Sequence, residues 1–128
     1  MRPGTKEEHK DEVAVVLDRA QFLRKHAPNK PALIAEFGLA DTKWGRSDYM
    51  KQDAEGVHFH TSLWSSAFAG TSGTAMFWWW ELLDEQDAYR HYRPLSAFMA
   101  DVCFAGLRRT NADASGGRLR VLGYQGDD

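Results

Sequence analysis

Two short apolar runs, separated by a segment with helical periodicity, constrain this chain more than any other feature. The first is Ala32-Leu33-Ile34-Ala35-Glu36-Phe37-Gly38, and the second is Gly73-Thr74-Ala75-Met76-Phe77-Trp78-Trp79-Trp80-Glu81. Each has the length of a strand. In the first, Glu36 alone interrupts the apolar run, a pattern that predicts a strand covered on both faces and hence a parallel sheet. Parallel neighbours need a crossover of a dozen or more residues, usually a helix. The stretch from about 56 to 69 suits that role, with Val57, His60, Leu63, Trp64, Ala67 and Phe68 at helical spacing. Gly70 stands where that helix should end.

The flanking segments extend the pattern. Thr5-Lys6-Glu7-Glu8 reads as a capping box, and Val13, Val16, Leu17, Ala20 and Leu23 form the stripe of a first helix. Pro28 and Pro31 stop it near His26. Residues 39–55 are polar and turn-rich and read as a long loop carrying Trp44 and Tyr49, of the kind that often serves function. A third helix is predicted from about Tyr89 to Gly106, with Tyr92, Leu95, Phe98, Met99 and Val102 on one face and Pro94 in its first turn. Cys103, the single cysteine, is expected to pack as a small hydrophobe in that helix. Residues 110–117 read as a linker, and 118–124 alternate like a strand. The order is helix, strand, helix, strand, helix, tail.

Composition closes off several function classes. With 16 basic against 18 acidic residues and a net charge of −2, nothing points to nucleic acid or an anionic membrane as a partner. No apolar run reaches the roughly 20 residues of a membrane helix, and the first residues lack the apolar core of a signal peptide. One cysteine excludes an internal disulfide and a cysteine-cluster metal site. His58 and His60 lie two apart on a predicted helix, face different ways and cannot share a metal. They read as packing or surface residues. Glu81, Asp84, Glu85 and Asp87 follow the second apolar run, where the start of a helix favours acidic residues for dipole reasons alone.

The remaining chemistry sits at the ends of the two apolar runs. On the residues alone, Glu36 is most simply a turn cap or half of an ion pair. Strand alternation puts Trp78 and Trp80 on one side and Trp79 on the other, so Trp79 is the natural core residue. A carboxylate beside exposed indoles is also what a sugar-cleaving site needs, because sugar rings present apolar CH faces that stack on aromatic planes.

The pattern Lys30-Pro31-Ala-Leu-Ile-Ala-Glu36-Phe-Gly38, followed by Gly73-Thr-Ala-Met-Phe-Trp-Trp-Trp80, resembles the clan of (β/α)8-barrel retaining glycoside hydrolases that includes the family 5 cellulases and mannanases. Leu63-Trp64-Ser-Ser-Ala-Phe-Ala-Gly70 and Tyr92-Arg-Pro-Leu-Ser-Ala-Phe98 are similar to the same group, and the likeness covers roughly residues 10–105. The resemblance implies an α/β fold, a partial (β/α)8 (TIM) barrel of about the last two βα units plus a preceding helix. Residues 1–108 would form the barrel portion. Residues 109–128 would form a linker and the first strand of a truncated β-sandwich module. Glu36 would then be the catalytic nucleophile, Trp78 first and Trp80 second the sugar platform, and Trp44 and Tyr49 contacts to neighbouring sugar units.

Retaining hydrolysis uses two carboxylates, and the Asn-Glu pair that carries the acid/base in these enzymes has no counterpart here. The expectation is therefore the C-terminal part of a larger, secreted or periplasmic hydrolase of β-linked glycans, inactive unaided. Neither cofactor nor metal is implied, and the partner is an oligo- or polysaccharide. Alternatives are a non-catalytic carbohydrate-binding module and a half-barrel that self-associates through an exposed sheet edge.

Overall fold

The computed structural model describes residues 11–112 and 121–126. Helix α1 spans Glu12–His26. Its cap is Asp11, whose carboxylate accepts from the Ala14 amide at 2.8 Å. The expected capping box at Thr5–Glu8 lies outside the described residues. Val16 and Ala20 are buried against Ala69 and the half-buried Ile34. Arg24, Lys25 and His26 occupy the last turn, where cations favour the helix dipole.

The two apolar runs lie side by side and parallel, joined by a bridge between Phe37 and Phe77. The Phe37 amide donates to Met76 O at 2.9 Å, and the Trp78 amide donates to Phe37 O at 2.9 Å. Further back the Met76 amide donates to Ile34 O at 3.1 Å, and the Ser72 amide donates to Ala32 O at 2.8 Å. The pairing is not a regular ladder. In a parallel ladder the N–H and C=O of one residue reach groups two apart on the neighbour. Met76 instead reaches Ile34 and Phe37, three apart, so Ala35 and Glu36 form a bulge. This slip shortens the expected strands at 32–37 and 74–80 to a single bridge. Trp80, expected to end the second strand, opens helix α4 at Trp80–Glu85 instead.

Helix α3, Val57–Phe68, crosses between the two segments and packs on α1. It is surrounded rather than half-covered. Phe59 and Leu63 are fully buried, and so are Ser62 and Ser66. The helical stripe read from the sequence missed Phe59 and included Val57, which is exposed. Serines allow this close packing because they are small, and the hydroxyls of Ser65 and Ser66 find partners on the helix itself. Ser65 and Ser66 donate to Ser62 O and Leu63 O, and Ser66 Oγ also accepts from the Ala75 amide at 2.8 Å. That last bond ties the second apolar run to the helix.

A 3₁₀ turn at Ala88–His91 leads into α5, Tyr92–Met99, whose Leu95 is buried. The helix ends about seven residues before the expected Gly106. Cys103 consequently lies beyond it and is exposed, not packed in a helix. Strands β1, Arg108–Ala112, and β2, Val121–Gln125, pair antiparallel with Thr110 opposite Gly123. The residues read as a linker therefore begin in a strand, because antiparallel pairing satisfies their backbone. The Tyr124 ring meets Phe104 edge-on and Phe68 at a tilt, and Arg109 Nε donates to Phe68 O at 3.4 Å. Arg24 donates to Ala69 O, so two guanidiniums meet the C-terminal carbonyls of α3.

Candidate functional site

Parallel pairing places the C-terminal ends of both apolar runs, and the loop that leaves the first, at one end of the molecule. Along the second run, burial alternates residue by residue. Ala75, Phe77 and Trp79 point inward, while Met76, Trp78 and Trp80 are 64%, 52% and 72% exposed. Trp79 is 8% exposed, which makes it the core residue of the three. Phe37, Phe59 and Phe77 form a cluster beneath it, with Phe37 and Phe59 each 5.3 Å from Phe77 between ring centroids.

Gly38 has a spatial role here. A Cβ at that position would stand 2.5 Å from Cζ3 and 2.8 Å from Cε3 of Trp79. The Glu-Phe-Gly sequence therefore ends in glycine because the Trp79 indole lies across the backbone.

Glu36 sits in the bulge and is exposed. It makes no hydrogen bond or ion pair within the described residues, so neither a turn cap nor a salt bridge accounts for it. Bulges recur beside functional sites because the extra residue re-aims a side chain. Leu33 and Ala35 are exposed on the same run.

The loop carrying Trp44 and Tyr49 is built rather than open. The Asp41 carboxylate accepts from the Lys43 and Gly45 amides, each at 2.8 Å, which holds it below the usual carboxylate range. Trp44 caps this turn with φ +64 and is 62% exposed. Arg46, bridged to Ala40 at the base of this turn, bonds Glu81 at 2.7 Å and Glu85 at 3.4 Å and so holds the loop against the helix that Trp80 opens. The Arg46 hydrogen bond in turn lowers the Glu81 pKa. Tyr49 lies in α2, Asp48–Gln52, and is partly exposed. Glu36 thus lies near the end of the first run, Trp78 and Trp80 near the end of the run parallel to it, and Trp44 in the loop that leaves the first, while Trp79 belongs to the core.

Beneath this end, Asp53 accepts from the Val57 and His58 amides at 2.9 and 2.8 Å and from His58 Nδ1. Burial alone would raise its pKa, but these hydrogen bonds outweigh it and hold the carboxyl low. His58 is buried with its ring 5.4 Å from Phe77, and its Nε2 has no partner among the described residues. His60 does not share a face with His58, but it meets His91, which nothing in the sequence pattern had connected to it. Their Nδ1 atoms are 3.2 Å apart. Burial, and then the His91 charge, lower the His60 pKa.

Among the described residues, no three His, Cys, Asp or Glu side chains gather into a metal cage. No described helix is long and apolar enough to cross a membrane. Comparisons with protein families, with curated proteins and with solved structures found no match.

Proposed function

We propose that this chain carries part of the sugar site of a retaining glycoside hydrolase acting on β-linked glycans, within the C-terminal portion of a (β/α)8 barrel. Glu36 takes the nucleophile position, Trp78 and then Trp80 form the platform, and Trp44 and Tyr49 flank it. One observation carries the reading. Glu36, exposed and without a partner among the described residues, lies near the end of the first run, exposed Trp78 and Trp80 lie near the end of the run parallel to it, and exposed Trp44 lies in the loop that follows. Two parallel segments with a crossover helix on one face are the repeating unit of such barrels, whose sites lie at the strands' C-terminal ends. The opposite face, with Met76 and Trp78, is the side that a closed barrel would fill.

Retention needs a second carboxylate about 5–5.5 Å from the nucleophile. The nearest candidates by topology are already engaged: Asp41 and Asp53 by amides, Glu81 and Glu85 by Arg46. The chain by itself therefore binds glycan without turning it over. The same observation favours a second reading, a non-catalytic carbohydrate-binding module.

The test is isothermal titration with β-1,4-linked gluco- and manno-oligosaccharides, together with incubation with a 2-deoxy-2-fluoroglycosyl fluoride. The fluoride departs without a general acid, so a nucleophile alone can form the glycosyl ester. Saturable binding lost in Trp78→Ala, with an adduct mapped to Glu36 by mass spectrometry, is the expected result. Binding without an adduct selects the non-catalytic module. No saturable binding overturns both.

A further inference from the structure

His60 lies one turn into α3, and His91 closes the 3₁₀ turn before α5, so 31 positions of chain separate two imidazoles that touch. The tautomers follow from the partners. His91 Nε2 lies 2.9 Å from Glu55 O, and a carbonyl only accepts, so Nε2 carries the proton. Neutral His91 then presents a lone pair at Nδ1, and His60 Nδ1 must donate to it. A backbone carbonyl that fixes one ring nitrogen and turns the other outward as a base is the arrangement of a metal-ligating histidine.

The distances fit an ion as well as they fit a proton. Two imidazoles on one tetrahedral zinc, at Zn–N of about 2.0–2.1 Å, would hold their nitrogens roughly 3.3 Å and their ring centroids roughly 5.2 Å apart. The observed separations are 3.2 Å between Nδ1 atoms and 5.1 Å between centroids, with the rings inclined at 67°. The neighbouring cation does not oppose this. Arg90 is engaged by the Glu55 carboxylate at 3.2 Å and by the Gln86 carbonyl at 2.8 Å.

We propose that His60 and His91 form a two-histidine site for zinc(II) or a similar borderline divalent ion, which replaces the shared proton and joins α3 to the turn before α5. The His60 proton moves from Nδ1 to Nε2 as the ion binds, so no net proton is released when both rings are neutral. No third protein ligand joins them among the described residues, which leaves the remaining positions to water or an incoming oxygen or nitrogen ligand.

Zinc(II) titrated into the full chain, followed by ¹H–¹⁵N correlation of the imidazole nitrogens, tests this directly. The expected result is a stoichiometric shift of both Nδ1 signals, a change of His60 from the Nδ1–H to the Nε2–H tautomer, and reversal by chelator. His60→Gln and His91→Gln should each weaken binding by at least about tenfold, read by cobalt(II) absorption, whereas His26→Gln leaves it unchanged. The wild-type tautomer change stands even if a variant fails to fold. Zinc shifts confined to His9, His26 or His58, or no shift at millimolar zinc, would overturn the site.

Discussion

The two faces of the paired apolar runs have similar composition and opposite fates. On the helix side, Phe37, Phe77 and Trp79 close over Phe59 and Leu63 of α3 and form the main core. On the other side, Leu33, Met76 and Trp78 stand more than half exposed, as does Trp80 where α4 opens. Hydrophobicity alone cannot tell these faces apart, because three adjacent tryptophans divide between them. The helix that crosses between the runs covers only one side. Under the proposed function, the exposed apolar groups on the other side are the surface that would meet a sugar ring.

Several substitutions break or sharpen this contrast. The largest effect is expected from Trp79→Ala, which removes a buried indole and should cost about 3–5 kcal/mol. Trp78→Ala, one residue away, should stay within about 0.5 kcal/mol. Urea unfolding of the two variants reads the difference directly, and equal losses would erase the distinction between the faces.

Gly38→Ala comes next, at about 2–3 kcal/mol, because its Cβ would collide with the Trp79 ring. In the double variant with Trp79→Leu that penalty should shrink by at least half. Additive losses in the cycle would show that backbone conformation, not the indole, demands glycine.

Glu12 tests burial away from both faces. Its carboxyl is pushed up by burial to about 7 from an ordinary 4.5, and its Oε2 has no partner among the described residues. The unfolded chain releases this proton near the ordinary value and the folded chain only near 7. The stabilising difference is therefore complete below about pH 4.5 and lost as pH rises to about 7. Glu12→Gln should raise stability by roughly 1–2 kcal/mol at pH 8 and change it little at pH 4. A thermal-melt series across that range settles the sign.

The smallest stability change belongs to Trp80→Lys, within about 0.5 kcal/mol. Sedimentation velocity on this variant asks whether the open face also joins copies of the chain. If it does, a concentration-dependent increase in size in the wild type should disappear.

Helices α1, α3 and α5 were legible because each repeats apolar residues at helical spacing, and α3 begins and ends within a residue or two of the reading, whereas α2 fell in a segment read as loop and α4 opens on a residue read as strand. The inward position of Trp79 was also legible, from alternation alone. Three features were not. The bulge at Ala35–Glu36 leaves no compositional mark, since it arises from how Met76 hydrogen-bonds across the pair. The end of α5 at Met99 is hidden because Val102 and Cys103 continue the apolar pattern beyond it. The continuation of β1 into a linker-like sequence depends on β2, whose pairing satisfies a backbone that composition would assign to solvent.

The sequence by itself determined which segments could form α1, α3 and α5 and which runs could pair. Those are local matters of periodicity and turn chemistry. Only the tertiary structure decided that Glu36 is bulged outward, that Arg46 holds the Trp44 loop to α4, and that His60 meets His91. Each of these joins residues remote in the chain, and packing and hydrogen bonding between elements carry no signature along the chain itself.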